Sequence, residues 1–371
     1  MKIVCSQPSL LEAVLKVYRA VPSSSPLPSL TGILLQAQEN MLTLKATDLD
    51  MGIIYSLPVE VVESGETLIP ARLFANMVRR LPSTELSLSA EGGKAVLTYQ
   101  RSRVELCLME AAQFPAFPEV EGERKLLVDP ETLKDGLRKV GIALASEDVR
   151  GIFNGIFLEA LPPYYFNLVA TDTHRLAFYR GEAEGIREEF TALILGRSLN
   201  ELARLLENQG GVEMVFGENQ VVVSQGSLRF YTRLLQGTFP HYRQVIPENF
   251  TTRAIVSTSD FLETVERAIL MAREDLKGKS QVIFLDIGET LIIRGESPER
   301  GSLNEEITCQ VEGEPLKLAL NGRYLLEALK VIEEEEVEFK ALDPLKPVLI
   351  GPKEKENYFC LILPIRIDSS L

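Results

Sequence analysis

Residues able to do chemistry together are crowded into one stretch. Thr171-Asp172-Thr173-His174-Arg175 sets an acid, a base, hydroxyls and a guanidinium side by side, the raw material of phosphoryl or hydrolytic chemistry. The same residues also suit a turn at a strand end, where Asp172 would accept hydrogen bonds from nearby backbone amides. An echo favours the turn. Thr47-Asp48-Leu49-Asp50, 124 residues earlier, repeats Thr-Asp without His or Arg. Thr-Asp then reads as structural, and His174-Arg175 as what the second copy adds. The chain has two histidines, His174 and His241, and no paired metal-ligand spacing, so no metal is expected. Gly278-Lys279-Ser280 resembles the end of a phosphate-binding loop. That loop needs a glycine where Arg273 stands, and a strand where a helix precedes. It reads as a turn, and no cofactor is expected.

Composition bounds the rest. A chain of 371 residues, 45% apolar and 25% charged, has room for about two to three folded domains. No apolar run approaches the roughly 18 residues of a membrane span, and Glu12, Lys16 and Arg19 interrupt the N-terminal segment, which therefore is no signal peptide. Cys5, Cys107, Cys309 and Cys360 lie far apart and read as reduced thiols of a cytoplasmic protein. A net charge of −14 argues, at first sight, against nucleic acid.

The elements that must position these residues recur in order. A strand at 2–5 precedes a helix at 9–21 with Leu10, Leu11, Val14 and Tyr18 on one stripe. Strands follow at 32–37, 41–45 and 52–57. A strand at 66–69, a helix at 70–81 with Phe74, Met77, Val78 and Leu81 inward, and strands at 86–89, 95–99 and 104–109 repeat the module. The pattern returns with a strand at 125–128, a helix at 131–145 (Leu133, Leu137, Val140, Leu144) and strands near 152–159, 164–170 and 176–180. Its second half has a strand at 193–195, a helix at 196–207 and strands at 212–216, 220–224 and 228–234. A third copy runs through helices at 260–274 and 322–332. Phe114-Pro115 recurs as Phe239-Pro240, and Arg72 as Arg197 and Arg323, at offsets of 125 and 126 residues. Such a period is too long for a solenoid. The expected fold is α+β, with three similar domains at 1–120, 121–250 and 251–371, each a doubled strand–helix–three-strand module.

The six helices together are mildly basic in an acidic chain; residues 71–80 hold Arg72, Arg79 and Arg80 with no acid. If they share a surface, it attracts phosphates while the exterior repels them; solvated amphipathic helices would account for the same pattern.

Three doubled modules resemble the bacterial sliding-clamp family, the beta subunit of the replicative DNA polymerase. The likeness covers the whole chain. Residues 170–177 are similar to that family's strand-turn in the middle domain, 239–247 to the linker after it, and 358–366 to its C-terminal strand. The resemblance implies a non-catalytic, head-to-tail homodimer ring around duplex DNA, which holds the replicative polymerase for processive synthesis and needs a clamp loader. It implies a pocket for partner peptides at Phe153, Thr171, His174, Arg175, Leu176, Pro240, Val245, Leu361 and Leu363. It places Lys16, Arg19, Arg72, Arg79, Arg80, Lys134, Arg138, Arg197 and Arg204 toward DNA. It sets Val104 and Leu106 against Leu270 and Met271 of a second copy. Departures are Ser23-Ser24-Ser25, which lacks an arginine some members use on DNA, together with Glu147, His241 and the tail Asp368-Ser369-Ser370-Leu371. A peptide-binding adaptor of the same architecture that does not encircle DNA is the alternative; a hydrolase centred on Asp172 and His174 is a third reading.

Overall fold

The computed structural model describes residues 1–118, 120, 122, 124–145, 151–273 and 281–366. Glu147, the Gly278-Lys279-Ser280 turn, part of the boundary at 119–124 and the tail 368–371 lie outside the described residues. The chain forms two compact units. One holds Met1–Pro130, Ala183–Arg187 and Glu201–Leu234; the other holds Glu131–Glu182, Glu188–Asn200 and Leu235–Leu371.

Within each doubled module the two halves exchange their first strands. In the first unit Lys2–Ser6, which opens the first half, pairs with Glu85–Glu91, the first strand after the helix of the second half, and Gly65–Pro70, which opens the second half, pairs with Gly32–Gln38 of the first. Arg124–Val128 pairs with Val212–Phe216 in the same way. In the second unit Phe190–Leu195 pairs with Gly155–Leu161, Thr252–Ser257 with Glu336–Ala341, and Leu316–Asn321 with Val282–Ile287. Neither half completes its sheet alone. The resulting antiparallel sheets have five and eight strands in the first unit, nine and four in the second.

The sequence reading omits one recurrent strand. Glu60–Glu63 returns to pair with Lys2–Ser6, and Cys309–Gly313 with Thr252–Ser257; at the matching place in the middle copy only a bridge, Leu127 to Glu184, remains. Both strands are short and carry exposed acids, so no clean alternation marks them.

Six helices are described: α1 (Gln7–Tyr18), α2 (Ala71–Arg80), α3 (Pro130–Gly141), α4 (Gly196–Leu205), α5 (Thr258–Met271) and α6 (Gly322–Lys330). Five depart from the expected bounds by two residues or more, α6 by ending at Lys330. Ser6 caps α1, its hydroxyl accepting the Ser9 amide, and Arg19 ends it, so the helix stops short of Val21. Its buried stripe is Leu10, Ala13, Val14 and Val17, while Leu11 and Tyr18 are half-buried. Helices α3 and α4 also end early, leaving Leu144 and Glu207 outside. Ser257 caps α5, which starts it two residues before Asp260. Phe74 and Val78 of α2 are fully buried as expected, with Ala71 and Ala75 beside them, whereas Met77 is only partly covered. Helix α1 packs on α2, and α5 on α6. Gly92 and Gly93, at φ +58° and +79°, make the two-residue hairpin between Glu85–Glu91 and Lys94–Tyr99.

Candidate partner pocket and basic helices

The Thr-Asp stretch is a turn built twice. In the first unit the Thr47 hydroxyl donates to the Met51 carbonyl (2.7 Å) and accepts from the Leu49 amide (3.0 Å), while Asp48 Oδ1 accepts from the Asp50 and Met51 amides (2.9 and 2.8 Å). In the second, the Thr171 hydroxyl donates to the Arg175 carbonyl (2.6 Å) and accepts from the Thr173 amide (3.2 Å), and Asp172 Oδ1 accepts from the His174 and Arg175 amides (3.0 Å each). Leu49 and Thr173 hold the matching left-handed position, φ +77° and +75°. Asp172 Oδ2 takes Arg175 Nε at 3.0 Å. This carboxylate is committed to its own turn, and the His174 ring lies against Tyr324, centroids 6.5 Å apart. The acid and the base of the hydrolase reading therefore do not work on one another.

Around the second turn lies a cavity of about 240 Å³ lined by Phe153, Thr171, Thr173, His174, Arg175, Leu176, Phe239, Pro240, His241, Tyr242, Val245, Pro347, Leu361 and Leu363. All nine residues that the sequence assigns to a pocket border it. Strand pairing explains the convergence: Arg175–Glu182 pairs with Tyr358–Ile362, setting Leu176 opposite Leu361. The Leu363 amide then donates to the His174 carbonyl at 2.9 Å.

The residues differ in what they offer. Leu176 and Leu361 belong to a buried cluster with Val169, Phe178, Leu193, Phe239 and Tyr242, so they form the floor. Val245 and Leu363 are 51% and 43% exposed and form the rim. Arg175 borders the cavity but is engaged within the protein. It is buried, paired with Asp172 and with Glu327 on α6 (2.5 Å), and stacked 4.2 Å from the Tyr324 ring centroid. Burial works against its charge, but Glu327 and Asp172 outweigh that and hold its pKa above the usual value. Pro347 is a lining residue that sequence reasoning missed. It precedes Val348–Pro352, whose Val348 pairs with Ile362, a register no local pattern reveals.

The wall of the pocket at 240–245 is tied from behind. Glu159, on Gly155–Leu161, the strand next to the edge of the nine-stranded sheet, is buried. Its Oε2 accepts from Asn167 Nδ2 (2.8 Å), the Tyr242 hydroxyl (2.8 Å) and Arg243 Nη2 (2.6 Å). Burial pushes its pKa up, but these three bonds prevail and hold it below the ordinary glutamate value.

The basic helix residues fall into two groups. Arg72, Arg79 and Arg80 on α2 are exposed, and Arg80 donates to the Asn76 carbonyl. The others are partnered or partly covered. Lys16 has a side chain 16% exposed, held by Glu12, Glu207 and the Tyr55 ring. Arg19 and Arg204 share Glu201; Arg138 pairs with Asp135 and Glu333. Arg197 is exposed and Lys134 half-buried. Lys139 was not singled out in the sequence. It is 4% exposed, bonded to Asp135 and set over the Tyr179 and Tyr358 rings.

Among the residues assigned to a contact between copies, Leu270 is 67% exposed and Val104 and Met271 are half-buried. Leu106 needs correction: at 4% exposure its side chain serves its own core. Its strand, Ser102–Cys107, is nevertheless a free edge of the five-stranded sheet, as Gly301–Ile307 is of the four-stranded one.

A doubled module used three times, with the exchanged first strands, defines the DNA-clamp fold. The chain belongs to the DNA polymerase III beta subunit family: its N-terminal domain matches over residues 1–118, its central domain over 127–241 and its C-terminal domain over 243–366. The beta sliding clamp of Staphylococcus epidermidis is 31% identical over 360 residues, 94% of either chain, and that of Staphylococcus aureus 30% over the same length. The crystal structure of the DNA polymerase sliding clamp from Bacillus subtilis, 30% identical, superposes with a TM-score of 0.95 over 99% of this chain and 100% of the other. The DNA polymerase III beta subunit from Thermotoga maritima, 27% identical, gives 0.91 over the same shares.

Proposed function

We propose that the protein is a DNA sliding clamp, a non-catalytic homodimeric ring that encircles duplex DNA and tethers the replicative polymerase and other partners in the cytoplasm. The observation that carries this reading is the 240 Å³ pocket, assembled from segments distant in sequence, in a chain matched over nearly all its length by sliding clamps. Its domains are assigned to 1–120, 121–250 and 251–371. The edge strand Ser102–Cys107 of one copy, with Val104, meets the edge strand Gly301–Ile307 of the next, with Leu270 and Met271 beside it, and continues a sheet between subunits. The nine basic residues face the duplex. Arg72, Arg79 and Arg80 supply the freest charge, and those shared with acids soften the field so that the ring slides rather than sticks.

A partner's extended peptide lays apolar side chains on Leu176 and Leu361 between the rims Val245 and Leu363. Two such anchors at about 1.5–3 kcal/mol each, with a few hydrogen bonds, suit exchange near micromolar affinity, about −8 kcal/mol. Partners that take turns need that weakness.

Loading onto nicked circular DNA with a clamp loader, followed by linearisation, tests the proposal. A clamp stays on the circle and is lost from the linear form. Equal retention on both, or on neither, would favour a peptide-binding adaptor that does not encircle DNA.

A further inference from the structure

The two copies of the Thr-Asp turn provide an internal control for the residues behind the pocket. Around the first copy lies a smaller cavity of about 160 Å³, lined by Thr47, Leu49, Gly52, Phe117 and Tyr231 among others. Register fixes the correspondences. Gln36 pairs with Thr43 as Glu159 pairs with Asn167, and Phe117-Pro118 stands where Tyr242-Arg243 follows the second Phe-Pro. The first copy thus has Gln36, Thr43, Phe117 and Pro118 where the second has Glu159, Asn167, Tyr242 and Arg243. Gln36 donates instead to Glu66, and neither Phe117 nor Pro118 has a side-chain donor. Of the two turns, the second alone has the carboxylate-centred network among the described residues.

The loop it holds has an outward-facing task. Hydrogen bonds within 240–246 are local: Tyr242 amide to the Pro240 carbonyl, Gln244 amide to His241, Ile246 amide to Arg243. Phe239 stacks on Phe157 (4.8 Å), and the Tyr242 ring sits in the core beneath. These contacts pin the start of the loop, while Val245 and His241 project to solvent. Tyr242 and Arg243 reach back to one buried oxygen, and charge-assisted bonds of this kind are short and directional.

We infer that Glu159 is a positioning residue for the peptide pocket: its carboxylate fixes the Tyr242–Val245 turn, and with it the Pro240–Val245 wall against which one of the partner's apolar side chains rests. This inference rests on the reading of the cavity as a peptide pocket. Glu159 touches no ligand itself; it acts through Tyr242 and Arg243.

The test uses the full-length protein and a fluorescent peptide carrying glutamine followed by Leu and Phe. Because the Arg243 side chain is 60% exposed, Arg243→Leu leaves the fold standing and is the primary variant. Peptide affinity should fall about fivefold to tenfold in Arg243→Leu and in Glu159→Gln, with partial recovery in Arg243→Lys. The double variant should lose no more than Glu159→Gln alone, because both changes release the same anchor. Fluorotyrosine at position 242 should change its ¹⁹F shift in Glu159→Gln without peptide present. Wild-type affinity in both single variants, or losses that simply add, overturns the inference while leaving the pocket intact. Failure of the peptide to bind wild type, or full binding by Leu363→Ser, overturns the pocket reading and this one with it.

Discussion

Leu363 offers the cleanest separation of pocket from core. Its side chain is 43% exposed, and its structural contribution runs through its backbone amide, which donates to the His174 carbonyl. Leu363→Ser keeps that bond and removes only rim surface. A fully buried leucine is worth about 1.5–3 kcal/mol; covering the part still exposed should return about 1 kcal/mol, a loss of roughly fivefold in peptide affinity. Stability should stay within about 0.5 kcal/mol of wild type, as for other surface changes. Leu176 is the contrast. It is 5% exposed within the cluster of Val169, Phe178, Leu193, Phe239, Tyr242 and Leu361, so Leu176→Ala should cost about 2–5 kcal/mol of stability, and its effect on binding cannot be read apart from that. Fluorescence anisotropy with a labelled peptide, beside thermal melts of the same preparations, measures both quantities. Unchanged affinity in Leu363→Ser would refute the pocket reading. A melting point lowered as far as in Leu176→Ala would show that Leu363 is core after all.

Arg79→Glu with Arg80→Glu should reduce loading on or sliding along DNA without changing the melt, because both side chains are exposed on α2; undiminished retention on circular DNA would show that α2 does not face the duplex. Thiol reagents at pH 8 should modify exposed Cys107 first, since burial raises the Cys5 and Cys360 thiols to about 12; early labelling of Cys360 in intact protein would contradict that burial. Acid should destabilise the fold through its paired carboxylates. Glu159 is held below its ordinary pKa, the bonds from Arg243, Asn167 and Tyr242 outweighing burial, and Glu12 is lowered chiefly by its bond to Lys16. A folded value below the unfolded one of about 4.3 gives stability that is fully present above that pH and lost as pH falls through the folded value. The melting temperature should therefore be level from neutral to about pH 5.5 and fall below it, less steeply in Glu159→Gln; identical acid limbs would count against the Glu159 assignment.

What the sequence made legible was what repeats or alternates. The module order, the apolar face of α2 and the Thr-Asp echo follow from local rules, because a strand of period two and a helix of period 3.6 leave their marks wherever they lie. Exchange of the first strands left no such mark. Lys2–Ser6 pairs across some eighty residues with Glu85–Glu91, and the choice between that partner and the nearer Gly32–Gln38 is made by packing of the whole doubling. Arg175 was legible as a cation beside a turn but not as a buried one, since Glu327 and Tyr324 reach it from α6, about 150 residues away. Lys139 was hidden for the same reason. It shares a helix with exposed Arg138, and only the Tyr179 and Tyr358 rings make it a core residue.

The two cavities show how one backbone was given two outcomes. Both turns carry the same hydroxyl and carboxylate bonds and the same left-handed residue, so the turn itself does not set the size of the cavity beside it. The difference lies in the residue that follows and the aromatic that covers it. At Gly52 the Phe117 ring comes so close that a Cβ would sit 2.4 Å from it, and the ring packs edge-on against Tyr231, 5.3 Å away. At the matching place Leu176 has a full side chain, and the hydroxyl of Tyr242 is bonded to Glu159. A ring packed close over the backbone beside the smaller cavity, and a ring tied to a carboxylate beside the larger one, go with single atoms: the missing Cβ at Gly52, and the hydroxyl of Tyr242 bonded to Glu159.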